Sequence, residues 1–135
     1  MINYDIPDSI SRYQSVPSIG SLILDFNDLD FQPHSGADDA VQARLDFGNG
    51  LEISVVAGLD DHKGLYGSVE EDLYEVAIFN ENGMIPLSPS DDVVGWQSPA
   101  QVSILMAKAQ VEGSVWVDEL IEDKAEFRKE LGLDY

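Results

Sequence analysis

Side chains able to build a catalytic or metal site are few in this chain, and they do not gather. The two histidines, His34 and His62, both fall in polar, loop-like stretches. A zinc centre needs three or four His, Cys or carboxylate ligands converging at recognisable spacing. His62 follows Asp60-Asp61, which is a fragment of such a set and no more. The run Asp25-Phe26-Asn27-Asp28-Leu29-Asp30 approaches a calcium loop. An EF-hand wants glycine sixth and glutamate twelfth, and counting from Asp25 those places hold Asp30 and Gly36. With no cysteine there is neither a thiol nucleophile nor a disulfide. No serine sits in a nucleophile elbow, and Gly48-Asn49-Gly50 reads as a hairpin turn rather than a phosphate cradle. Asp91-Asp92 could exchange protons in principle, but adjacent loop acids without a positioned partner are solvated. The expectation is a non-enzymatic protein with no catalytic residue, no metal and no cofactor.

Charge is the outstanding property. Twenty-six acidic residues face seven basic ones, for a net charge of −19. Such a field repels nucleic acid and anionic membranes, and it speeds encounter with basic partners. It is also uneven: residues 1–97 hold 18 acids and 3 bases, while residues 98–135 hold 8 and 4. Asp60, Asp61, Glu70, Glu71 and Asp72 cluster in one predicted loop, and Asp91 and Asp92 occupy another. These seven carboxylates form the candidate partner-binding set. Displayed at spacings of several ångströms, they could imitate the phosphates of a duplex, which carries one charge per roughly 1.7 Å of axis. The expected partner is the basic surface of a nucleic-acid-binding protein, with no direct contact to nucleic acid or membrane. Solubility and a high-salt habitat are the rival readings of the same acidity.

Loops of this kind need a scaffold. A length of 135 residues fits one domain, and 44% hydrophobic residues supply its core. Residues 1–20, with Pro7, Pro17 and Gly20, show no period and read as a loosely ordered arm; residues 21–135 read as a single α+β domain, with a sheet over 21–87 and helices over 98–131. Leu22, Leu24 and Phe26 alternate with Ile23 and Asp25, which predicts a strand over Ser21–Phe31 with a bulge or bend near Asn27-Asp28. Val41, Ala43, Leu45 and Phe47 alternate as well, then Gly48-Asn49-Gly50 leads into Leu51, Ile53, Val55 and Ala57. Two alternating runs around Asn-Gly predict a hairpin closed by a type I′ turn. Leu73–Phe79 reads as another strand, turned by residues 80–83 into a short strand at Met84–Leu87, where Pro86 marks a sheet edge.

Residues 88–97 read as loop. Ser98, Pro99 and Gln101 then spell a capped helix start, with Val102, Leu105, Met106 and Ala109 as its buried stripe. Gly113 among β-branched neighbours predicts a break, after which Trp116, Leu120, Phe127 and Leu131 share a face. One continuous helix is the alternative, because Leu105, Trp116 and Phe127 recur every 11 residues. The architecture predicted is an antiparallel β-meander of four to five strands packed against one or two C-terminal helices.

The middle of the chain resembles small phage-encoded proteins of unassigned function. The residues that carry the likeness are Phe47-Gly48-Asn49-Gly50, Ser54-Val55-Val56, Gly64-Leu65-Tyr66, Leu73-Tyr74-Glu75-Val76-Ala77-Ile78 and Asp91-Asp92-Val93-Val94-Gly95-Trp96, within about residues 41–109. What the resemblance implies is origin in a bacteriophage or prophage, and it carries no catalytic residue across. No apolar run approaches the roughly 18 residues of a membrane span. The start of the chain lacks a basic, signal-like region, which with the missing cysteines gives the host cytoplasm as the expected compartment. Together these readings predict a phage-encoded acidic inhibitor of a host defence protein, of DNA-mimic or anti-CRISPR type. The alternative is a virion structural or assembly accessory that docks through its C-terminal helix.

Overall fold

The computed structural model describes residues 23–36, 38–59 and 65–132 of the chain. The arm expected over residues 1–20 lies outside them. The described chain is an antiparallel sheet of six strands followed by two helices. The strands are β1 (Gln32–Pro33), β2 (Ala40–Asp46), β3 (Glu52–Gly58), β4 (Tyr74–Asn80), β5 (Gly83–Met84) and β6 (Val94–Gln97). The helices are α1 (Pro99–Val111) and α2 (Ser114–Glu130). Spatial order is β1-β2-β3-β4-β5, and β6 joins the same outer edge of β4 beside β5.

Alternation decides which face is covered. Ala43 opposes Val55, which opposes Val76, and Leu45 opposes Ile53, which opposes Ile78. These residues point to one side, where Val102, Met106 and Ala109 of α1 and Trp116 and Val117 of α2 complete a buried cluster. Burying such side chains is the main stabilising term, at about 1.5–3 kcal/mol for each large one. On the opposite side Arg44 makes two hydrogen bonds of 2.9 Å to Glu52 and lies 5.2 Å from the centre of the Phe79 ring. Ser98 caps α1 and Gln101 reaches back to the Ser98 N–H, as their spacing predicts. The helices do break at Gly113, whose φ of 54° suits glycine.

Three local expectations are corrected. Residues 23–31 form no strand: Phe26–Asp28 is a 3₁₀ turn in which Asp25 accepts from the Asn27 N–H and Asp28 accepts from the Asp25 N–H. The change of parity at Asn27-Asp28 is this turn, made by the local side-chain capping that Asp and Asn favour. The hairpin stands in the expected register, but only Gly48 and Gly50 have positive φ. Because the Phe47 N–H donates to the Leu51 carbonyl, the connection is a three-residue loop and not a type I′ turn. Finally, β6 forms where a loop is predicted, a four-residue strand containing glycine that pairs with β4 in the sheet. Beyond β5, Pro86 lies just outside the ladder.

The topology gives the sheet two distinct ends. The loop at residues 48–50 and the turn at Glu81-Asn82 share the lower end. The start of β2, the end of β3, the start of β4 and the end of β6 share the upper end, since Ala40 opposes Gly58 and Tyr74 opposes Gln97.

Candidate partner-binding surface

Three segments build the upper end. Asp38 and Asp39 lead into β2, and Asp39, at a φ of 56°, accepts a 2.7 Å hydrogen bond from the Leu59 N–H. Ser68 wedges between the end of β3 and the residue before β4, bridging Gly58 on one side and Leu73 on the other. The tight turn from Ser68 to Leu73 carries Glu70, Glu71 and Asp72, all exposed. The turn packs closely on Gly67, where an added Cβ would stand 2.9 Å from the backbone of Leu73, Tyr74 and Glu75.

The third segment is the end of β6. Gly95 and Trp96 both lie opposite Glu75, because the pairing shifts between Val76–Val94 and Tyr74–Gln97. This is a β-bulge, and bulges re-aim side chains. The Trp96 N–H leaves the ladder and donates to the Tyr66 carbonyl at 2.7 Å, while the Tyr66 N–H donates to Glu75 Oε1 at 2.8 Å. Tyr66 lies so closely over Gly95 that any side chain there would collide with it. Trp96 has a φ of 55° and remains 49% exposed; Tyr66 is 54% exposed.

Behind this surface Tyr74 is buried in a triangle with Phe26 and Phe31, at centroid distances of 5.0 and 5.5 Å. Its hydroxyl donates to Asp72 Oδ1 at 2.9 Å. Burial, aided by that hydrogen bond and the Asp72 charge, pushes the phenol up to about 12. Asp72 thus has a structural partner, and its φ of 57° is fixed by the same turn.

The candidate carboxylates separate accordingly. Glu70, Glu71 and Asp72 come together at the upper end, whereas Asp91 and Asp92 precede β6 and so lie toward its other end. Asp91 closes a turn with Ser88, and Asp92 pairs with Lys124 of α2 at 3.7 Å. Asp60 and Asp61 lie outside the described residues. Sequence reasoning missed Asp38, Asp39, Tyr66, Glu75 and Trp96. A signal was present in Tyr66-Gly67 and Gly95-Trp96, where an aromatic residue adjoins a glycine that must admit a close neighbour.

Comparison with protein-family models, curated proteins and solved structures finds no match. What the surface can do follows from its own chemistry. The described segments that build it contain no lysine or arginine. Described bases sit elsewhere: Arg44 is held by Glu52, Lys108 by Glu112 and Lys124 by Asp92. Among the described residues no group of three His, Asp or Glu could hold a metal ion, and no helix is long and apolar enough to cross a membrane. His34 Nδ1 accepts from the Gly36 N–H at 2.9 Å, within its own loop. The upper end therefore presents negative charge and aromatic surface on turns anchored to the sheet, an arrangement that attracts cationic groups.

Proposed function

We propose that this chain is a non-enzymatic acidic binding protein that occupies the basic groove of a nucleic-acid-binding protein, in the manner of a DNA mimic. The observation that carries this reading is the upper end of the sheet, where Asp38, Asp39, Glu70, Glu71 and Asp72 stand with no base in the described segments around them. Carboxylates on a firm backbone need little reordering on binding, so little conformational entropy opposes their use. The phage origin implied by the resemblance gives such a protein its role, inhibition of a host defence protein inside the host cell by occupancy of its phosphate-holding Lys and Arg.

Capture of partners from host lysate at about 50 mM and about 500 mM salt, followed by mass spectrometry, tests the reading, since screening shortens the reach of surface charge severalfold over that range. The expected result is a basic, nucleic-acid-binding protein retained at low salt and lost at high salt, and displaced by duplex DNA. Retention of a partner at both salts would sink the mimic. That outcome would favour a virion or assembly accessory docking through α2, whose Val115 and Ile121 are exposed.

A further inference from the structure

Exposed aromatic side chains at the acidic end call for a partner that charge alone does not specify. Trp96 is half-exposed at the edge of the sheet, on a backbone with positive φ that disfavours any side chain. Strain of that kind persists where surrounding structure enforces it, and it gathers at ligand-contacting positions. The enforcing contacts are present: the Trp96 N–H is held by the Tyr66 carbonyl, and the Tyr66 N–H by Glu75. Gln97, the next residue, opposes Tyr74, which bonds Asp72 of the acidic turn. An indole, a phenol ring and the carboxylates of Glu70, Glu71 and Asp72 are thus carried at one end of the sheet by segments linked through these pairings.

The chain itself displays what such a combination holds. On the open face of the sheet, the Arg44 guanidinium is gripped by the Glu52 carboxylate and laid over the Phe79 ring. Guanidinium is the cation best suited to both contacts, because it is planar, weakly hydrated and able to stack while it hydrogen-bonds. Self-association through the same patch would bring two copies of net charge −19 together at their acidic ends, which repulsion opposes.

We propose that Trp96, with Tyr66 beside it, is a docking surface for an arginine side chain of the partner, stacked on the aromatic rings and steered by Glu70 and Glu71. This deepens the mimic reading and rests on it. Arginine that would have held a phosphate is offered a carboxylate and a ring together, which ties specificity to arginine over lysine.

Binding of deca-arginine and deca-lysine peptides to the full chain tests the proposal, read by tryptophan emission and by calorimetry. Trp116 is 5% exposed and serves as an internal reference for the fold. The expected result is a saturable change in Trp96 emission, arginine peptide preferred over lysine peptide, and a loss of affinity of about tenfold in Trp96→Gly. Glycine adopts positive φ without penalty, so that variant should melt at the same temperature or higher, which separates loss of binding from loss of fold. Trp96→Phe should recover part of the affinity. If arginine peptide binds with unchanged affinity to Trp96→Gly, the aromatic dock is wrong and the acidic reading stands. If neither peptide binds at low salt, both fall. Emission of Trp96 that shifts with protein concentration alone, with sedimentation as a dimer, would assign the patch to a second copy and overturn the proposal.

Discussion

Asn49, at the tip of the β2–β3 hairpin, donates from its side-chain amide to the Ala109 carbonyl in the last turn of α1, at 2.9 Å. Helix C-termini leave carbonyls without intrahelical donors, and here a residue 60 positions away supplies one. The same side chain accepts from the Leu51 N–H, so Asn49 closes its own loop while fastening the sheet to the helix layer. Asn49→Ala should cost about 1–2 kcal/mol in chemical denaturation. Asn49→Asp should cost at least as much at neutral pH. It keeps the acceptor for Leu51 but turns a carboxylate toward the negative end of the helix. An aspartate variant as stable as the parent would refute the role given to the amide.

The hairpin, the capped start of α1 and the break at Gly113 were legible because each depends on neighbours in sequence. Alternation from Val41 to Ala57 has one solution as two strands, and Ser98 with Gln101 needs only four consecutive residues. The turn geometry was not legible, since the contact that orients Asn49 comes from α1. Strand β6 escaped for a related reason: Val94–Gln97 is held by β4 and by Tyr66, and no periodicity within four residues announces that. In the acidic set, nearness in sequence grouped Glu70, Glu71 and Asp72 correctly. It gave no warning that Asp92 meets Lys124 or that Asp72 is engaged by Tyr74. The exposure of Trp96 was not legible because it follows from the bulge.

Segment 24–26 depends on side chains of α1. Gln110 mimics a strand partner for Leu24, accepting from its N–H at 2.8 Å and donating to its carbonyl at 2.7 Å. Ser103 accepts from the Phe26 N–H at 3.0 Å. Gln110→Ala should lower hydrogen-exchange protection at the Leu24 amide by about tenfold, the worth of a hydrogen bond of this kind. The Phe26 amide, held by Ser103, should change much less. Equal loss at both amides would mean that the segment releases as one unit.

Tyr74 should make stability fall at alkaline pH. Its folded value is raised to about 12 by burial and by the bond to Asp72, whereas an unfolded tyrosine titrates near 10. The contribution is therefore complete below about pH 10 and is lost as pH rises toward 12, where the unfolded chain has given up a proton that the folded chain still keeps. Denaturation midpoints for the parent should fall more steeply between those values than midpoints for Tyr74→Phe. Parallel curves for the two proteins would show that the phenol is not held as described.

The strongest test of the acidic end compares equal changes of charge at different places. Reversal of Asp38, Glu70 and Glu71 to lysine moves the net charge from −19 to −13, and so does reversal of Glu119, Glu122 and Glu126 on α2. All three helix positions are exposed, as are Asp38, Glu70 and Glu71. Asp72 is left intact because its carboxylate holds Tyr74. Both sets should fold, and relief of self-repulsion favours stability in each. If the upper end is the contact surface, the loop set should abolish binding to the basic partner while the helix set weakens it only slightly. Single reversals should have small effects, since an exposed ion pair is worth about 0–1 kcal/mol. The loss should accumulate across the loop set and fall first on the association rate, which follows the summed field. Reversal of Asp91 and Asp92 should behave like the helix set, because they lie toward the other end of β6. Equal losses from loop and helix sets would reduce the acidic end to a share of net charge, and full binding by the loop set would remove it from the interface.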